Sequence, residues 1–246
     1  AAYEPLSEPR VSVDETWWVQ DFYSKACGTL QVADPGSACM IGPTPFYSRD
    51  NLEQSLIKQR HLIYAFNLFV PKAYVIPNVT SSSPLRYPAS YRCCDVYTDD
   101  HVCKASWGKS GCARPIRVDA AFLTSELQKA VDFRSKHNVP VLLDQWGVSR
   151  ESGEGREAYA ADLLRACDEH NVPWTYWNGR QLARSGGATF GLLALHREQE
   201  PMHAPSQGDA LPSVTASDSA AGSMRLDWDV PLLDKLQPYL GAGPRR

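Results

Sequence analysis

Two short phrases place carboxyl or amide side chains where the sequence predicts the end of a strand. Residues 3–10 read YEPLSEPR, and residues 140–147 read PVLLDQWG. A pair of carboxyl groups at the ends of two strands can cleave a glycosidic bond, one as acid and base and the other as nucleophile. Glu8 suits the first role. Gln145 stands where the second carboxylate would be expected.

The side chains of these two phrases must be positioned by the elements around them, which the sequence predicts to be alternating strands and helices. The expected elements, in chain order, are a helix over 15–27, a strand over 38–41, a helix starting at Asp50, a strand over 62–66, a helix capped by Thr124, a strand over 141–143, a helix over 156–170 and a strand over 174–177. This spacing indicates a parallel sheet with helical crossovers. The short, continuously apolar strands fit burial on both faces.

Taken in order, these phrases resemble those of glycoside hydrolase family 5, the cellulase-like (β/α)8 barrels. Residues 3–9 resemble the phrase of the fourth strand, with Ser7 in place of the Asn that usually precedes Glu-Pro. Residues 64–71 resemble the phrase of the sixth strand. In that strand Asn67 and Phe69 stand where the family normally has His and Tyr.

The later phrases continue the resemblance. Residues 144–147 resemble the seventh strand, with Gln145 at the place of the nucleophilic Glu. Residues 174–177 and 189–192 resemble the eighth strand and its exit. The resemblance covers roughly residues 1–200. It implies an α/β fold of the (β/α)8 TIM-barrel type, with only strands 4 to 8 in this chain, because a closed barrel needs eight strands.

The resemblance also implies a set of site residues. Glu8 would be the acid/base, and Gln145 would occupy the nucleophile position. The residues expected to contact substrate are Trp177, Trp146, Asn67, Phe69 and Ser7. Because successive side chains of a strand point to opposite faces, we expect Asp144 to point toward the helix layer if Gln145 points into the barrel mouth. Asp144 would then be a poor substitute nucleophile unless the strand is bulged.

Three functions remain open. The first is a glycoside hydrolase acting on a β-linked polysaccharide, cellulase- or glucanase-like, and impaired by Gln145. The second is a carbohydrate-binding pseudoenzyme that keeps the groove without turnover. The third is a disulfide-stapled surface interaction protein. Because Asn67 and Phe69 also depart from the family pattern, a natural divergent subgroup is favoured over a single engineered change.

The seven cysteines predict six paired thiols and one free thiol. Cys27 and Cys39 flank a turn and are close enough in sequence to bridge. The other disulfide candidates are Cys93, Cys94, Cys103 and Cys112, and we expect Cys167 to be a buried free thiol. Zinc bound by the cysteine cluster with His101 is the alternative, but the cluster lacks a paired C-x-x-C spacing. Together with the N-glycosylation acceptor Asn78, this pattern indicates a secreted or secretory-pathway protein.

The composition limits the classes of partner that this protein is expected to bind. A net charge of −3 gives no basic field for nucleic acid, and no run of apolar residues is long enough to span a membrane. We expect a monomer that binds a polysaccharide or oligosaccharide without metal or cofactor. The expected domains are a barrel part over 1–200 with a cysteine-rich insert at 70–118, a linker over 201–225 and a terminal segment over 226–246.

Overall fold

The computed structural model describes residues 1–11, 15–77, 86–97, 114–182, 189–197 and 224–239. Its strands are β1 (Ala2–Tyr3), β2 (Ala38–Ile41), β3 (Leu62–Leu68), β4 (Ala89–Tyr91), β5 (Ile116–Val118), β6 (Val141–Trp146), β7 (Trp174–Tyr176), β8 (Arg180–Leu182), β9 (Leu193–Arg197) and β10 (Met224–Trp228). Its α-helices are α1 (Thr16–Ala33), α2 (Lys72–Val75), α3 (Cys93–Val96), α4 (Ala120–His137), α5 (Arg156–Glu169) and α6 (Val230–Leu236). Two 3-10 helices cover Arg49–Ser55 and Gln237–Tyr239.

The main sheet is parallel and has five strands in the order β1-β2-β3-β6-β7. With its helices it forms a curled half-barrel, which confirms the expectation of a partial barrel. The carboxyl ends of parallel strands meet at one edge of such a sheet. This edge is where α/β folds place their ligand sites.

Apolar side chains at helical spacing hold the helices to the sheet. In α1 the buried side chains are Val19, Tyr23 and Cys27, each four residues after the last. The α4 helix buries Leu123 and Leu127 among others, and α5 buries a matching stripe. These stripes pack against the sheet and build one continuous core with it.

Two expected helix starts are wrong. At Asp50 the chain forms the 3-10 helix Arg49–Ser55 instead of an α-helix. The α4 helix starts at Ala120, because the Asp119 carboxylate accepts a hydrogen bond from the Phe122 N–H and caps the helix. Thr124 lies one turn inside the helix, where its hydroxyl donates to the Ala120 carbonyl.

The segment over 70–118 is more regular than the expected irregular insert. It contains α2, α3 and the antiparallel pair β4–β5. Asn78, His101, Cys103 and Cys112 lie outside the described residues, so the expectations about glycosylation, zinc and those two thiols stay predictions.

A second, three-stranded sheet has the order β10-β9-β8 and joins the C-terminal segment to the rest of the chain. The segment contributes β10 and then α6. Asp229, which precedes α6, accepts a hydrogen bond from Arg156 Nη2 at 2.5 Å, and its N–H donates to the Leu192 carbonyl at 2.8 Å. Residues 201–223, most of the expected linker, lie outside the described residues.

The cysteine prediction is confirmed where the structure describes the thiols. Cys27 and Cys39 form a disulfide. Cys93 and Cys94 are each disulfide-bonded, and Cys167 is free and buried. In the described ranges, none of the helices is long and apolar enough to cross a membrane. Those same ranges contain no group of three or more His, Cys, Asp or Glu side chains that could hold a metal ion.

Candidate active site

Three of the sequence-predicted positions meet at the carboxyl edge of the main sheet. Asn67, on β3, donates a hydrogen bond from Nδ2 to Oε1 of Glu8 at 2.5 Å. On the neighbouring strand β6, Gln145 is the residue opposite Asn67. Adjacent strands lie about 4.8 Å apart. The Glu8, Asn67 and Gln145 positions therefore form one continuous cluster across the sheet.

The backbone at Glu8 is held in an uncommon conformation. Its φ angle of 47° lies in the left-handed region, which non-glycine residues rarely adopt. The carbonyl of Pro9 accepts a hydrogen bond from the Phe46 N–H at 3.1 Å, which ties the segment after β1 to the loop after β2. Such outliers concentrate at functional sites, because the surroundings must hold them in place.

Opposing effects act on the Glu8 carboxyl group. Burial raises its pKa, and the negative charge of Glu4 acts in the same direction. The Arg10 guanidinium and the hydrogen bond from Asn67 oppose that rise. The net effect is a pKa above the ordinary value, which keeps more of the protonated form that an acid catalyst needs.

The position of Asp144 contradicts the expectation from strict alternation. Phe66 lies opposite Leu143, but the next residue, Asn67, lies opposite Gln145, so Asp144 is the extra residue of a bulge. The register against β7 is irregular over the same stretch. A bulge changes the direction in which the neighbouring side chains point. Here it turns Asp144 away from the helix layer.

The surroundings of Asp144 confirm this orientation. Its side chain is hydrogen-bonded to that of Gln145, and the acidic groups acting on it are Glu4 and Glu8. Burial raises the pKa of Asp144 to about 6, and both neighbouring charges add to that rise. The site therefore holds two carboxyl groups, those of Glu8 and Asp144, and the charge of Glu4 acts on both.

The expected aromatic residues divide between surface and core. Trp177 follows β7 and is 44% exposed. Trp146 is fully buried and packs edge-on against Trp174 and Tyr176. This placement makes Trp146 a packing residue with no surface to offer a ligand. Phe69 is half-buried against Phe190.

Two further positions complete the expected set. Ser7 is exposed directly before Glu8. Asn67 is only 6% exposed, and its Oδ1 atom has no hydrogen-bond partner among the described residues. A buried polar atom without a partner is costly.

Sequence reasoning allowed a role for Asp144 only if the strand were bulged, and it did not name Glu4 as a site residue. The bulge depends on the register of two neighbouring strands, which no local pattern reports. Glu4 carried a signal that was available, because it lies four residues before Glu8 in the same acidic phrase.

Gly147 fixes the position of Trp177. A Cβ atom at Gly147 would lie 2.3 Å from the Trp177 carbonyl oxygen and 3.0 Å from a Phe190 ring carbon. We expect Gly147→Ala to displace Trp177 and to destabilise the protein by about 1–3 kcal/mol, as overpacking does. Gly179→Ala is the matched control, because nothing lies within 4 Å of its Cβ position. Chemical denaturation would measure the free energy of unfolding of both variants. Equal stabilities would contradict the close contact between Gly147 and Trp177.

Solved structures with a similar fold include endoglucanases. No protein-family model and no curated protein sequence matches this chain. Its fold matches cellulose synthase subunit Z of Clostridioides difficile with a TM-score of 0.58 at 17% identity, covering 96% of this chain and 60% of that one. Endoglucanase Cel5A of Thermotoga maritima matches with a TM-score of 0.57 at 16% identity, covering 96% and 59%.

A third structure is a GH5-4 broad-specificity endoglucanase of Clostridium acetobutylicum, with a TM-score of 0.55 at 15% identity, covering 78% of this chain and 54% of that one. The chain thus spans about 60% of the length of the first of these structures. The architecture is a partial form of the family 5 endoglucanase fold.

Proposed function

We propose that this protein binds a β-linked glucan chain along the carboxyl edge of its half-barrel sheet and acts on it as a secreted glycoside hydrolase. Glu8 is the acid/base, Gln145 occupies the nucleophile place, and Trp177 stacks against a sugar ring. The observation that carries the proposal is the convergence of Glu8, from the segment after β1, with Asn67 on β3 and Gln145 on β6.

The chemistry of the edge suits a sugar. Trp177 offers an exposed aromatic face, and such a face combines apolar area with low conformational entropy. The partly buried Glu8 carboxyl group, which Asn67 holds by a hydrogen bond, adds a polar contact nearby. The substrate class is supported by the fold likeness, because Cel5A of Thermotoga maritima has been solved in complex with cellobiose.

Titration calorimetry with β-1,4-linked gluco-oligosaccharides tests whether the protein binds a β-linked glucan. The α-1,4-linked isomers serve as the control ligand. Selective binding of the β-linked series is the expected result. Equal affinity for the two series, or no binding of either, would reject the proposal and favour a surface interaction protein.

Trp177→Ala should weaken oligosaccharide binding about ten- to a hundredfold, because a buried aromatic anchor contributes on the order of 1.4–2.8 kcal/mol. Trp17→Ala is the control, since Trp17 is 66% exposed and lies on α1, outside the sheet. Calorimetry on both variants gives the comparison. A similar loss for the two would contradict the placement of the sugar.

A further inference from the structure

We propose that Asp144 is the second catalytic carboxyl group of this site, acting as a general base on water and giving hydrolysis with inversion at the anomeric carbon. The inference rests on the proposed function and deepens it. It replaces the missing carboxylate at Gln145 with one that this chain supplies from the adjacent position.

The bulge in β6 is the geometric basis. It places two successive side chains, Asp144 and Gln145, where a regular strand would place one beside Asn67. Asn67 contacts Glu8 directly, and Gln145 contacts Asp144. The Glu8–Asn67 contact and the Gln145–Asp144 contact therefore lie at paired positions of the neighbouring strands β3 and β6.

The burial of Asp144 calls for an explanation that packing does not give. Asp144 is 9% exposed, and no Lys, Arg or His of the described residues forms an ion pair with it. A buried carboxyl group without a cation costs stability. The other buried carboxylates, Glu126 and Asp229, are both paired with arginine. An unpaired acid at the functional edge is the pattern expected of a catalytic group.

The role of base on water follows from the reach of the side chain. A nucleophile must touch the anomeric carbon, so its oxygen must be open to the cleft. Asp144 is buried, and an aspartate is one methylene shorter than the glutamate of a retaining pair. A water molecule between Asp144 and the sugar closes that gap. Inverting enzymes hold their carboxyl groups about 6.5–9.5 Å apart to leave room for this water.

The reaction balances with these groups alone. Asp144 takes a proton from water while the water oxygen forms the new bond to the anomeric carbon. The bond from that carbon to the glycosidic oxygen breaks, and Glu8 donates its proton to the leaving oxygen. Proton exchange with solvent then restores Glu8 as the acid and Asp144 as the carboxylate.

Burial raises the pKa of Asp144 to about 6 and also raises the pKa of Glu8, so the two groups share one proton in the acid range, which is the form that the reaction needs. The charged groups acting on the pair are Glu4 and Arg10. We expect a bell-shaped dependence of kcat/KM on pH with a maximum on the acid side of neutrality. Its two limbs belong to the coupled Glu8–Asp144 pair.

The test begins with the unaltered chain and a β-1,4-linked gluco-oligosaccharide, using proton NMR to identify the first anomer released. The α-anomer is expected, and the β-anomer would overturn the inference. Binding of the oligosaccharide without turnover would overturn it too, while leaving sugar binding intact. Absence of binding would reject the proposed function and the inference with it.

The variant arm uses Asp144→Asn, with Asp132→Asn on the exposed face of α4 as control. A fall in kcat/KM of at least a hundredfold is expected for Asp144→Asn, with oligosaccharide affinity kept within about twofold. The control should keep full turnover. Equal turnover in the two variants would overturn the inference.

Thermal unfolding of Asp144→Asn reports on folding independently of turnover. The folded-state pKa of Asp144 is raised, so ionisation of this carboxyl group lowers the stability of the fold. The loss of stability is complete above about pH 6 and disappears below pH 3.8, the ordinary pKa of the group. The variant should therefore unfold at a higher temperature than the parent at pH 7 and at the same temperature near pH 3.5. A lower unfolding temperature at pH 7 would mean that Asp144 has a structural role, and would overturn the inference.

Discussion

Gln145→Glu should convert a protein that forms no covalent sugar adduct into one that is labelled by a 2-deoxy-2-fluoro-β-glycosyl fluoride. The change returns a carboxylate to the strand-end position opposite Asn67, on the side of the sheet where Asn67 contacts Glu8. A retaining nucleophile needs a separation of about 5–5.5 Å from the acid. Because losing a nucleophile costs many powers of ten in rate, recovering it should raise turnover at least about a hundredfold.

Intact-protein mass spectrometry would detect the adduct, and peptide mapping would place it at residue 145. Gln145→Met is the matched control, because it has a similar volume and no carboxyl group. The double variant with Glu8→Gln should still be labelled, since an activated fluoride leaving group needs no acid. An unlabelled Gln145→Glu protein that still binds oligosaccharide would reject the nucleophile position.

Glu126→Ala should destabilise the fold by about 3–5 kcal/mol, because it leaves a buried charge without its partner. Arg49, 8% exposed, donates from Nε to Glu126 Oε2 at 2.6 Å, and Glu126 is 3% exposed. The Tyr97 hydroxyl and the Lys129 ammonium donate to the same carboxylate. This cluster joins the 3-10 helix before β3 to α4.

Urea unfolding would measure the loss. Glu53→Ala removes an exposed pair with Lys136 and His137 and should cost less than about 1 kcal/mol. The double variant Arg49→Met with Glu126→Leu should recover most of the stability, since a buried ion pair is often replaceable by apolar side chains. Equal losses for Glu126→Ala and Glu53→Ala would show that the buried pair contributes no more than an exposed one.

The regular part of the fold was predictable because its signals are local. The helix expected over 15–27 is the first part of α1, and the expected strands at 38–41 and 62–66 are β2 and most of β3. Each is marked by a short apolar run or by helical spacing. The Cys27–Cys39 pair could likewise be inferred from its short separation.

The parts that were not predictable depend on distant residues. The bulge at Asp144 arises from the register of β6 against β3 and β7, so the alternation rule applied to β6 alone gave the wrong face. The second sheet pairs β9 with β10 across a long separation. Trp146 resembles a site residue by its place in the phrase, yet the packing of Trp174 and Tyr176 closes over it.

The disulfide inside the first helix–strand unit bears on how the chain acquires its bonds during synthesis. Cys27 and Cys39 are separated by 12 residues, within α1, the turn and β2. The entropy of loop closure favours this short contact over any encounter of Cys27 with the distant Cys93. In an emerging chain under oxidising conditions, the native pair can close before the later thiols appear, which leaves fewer mispaired species to be resolved.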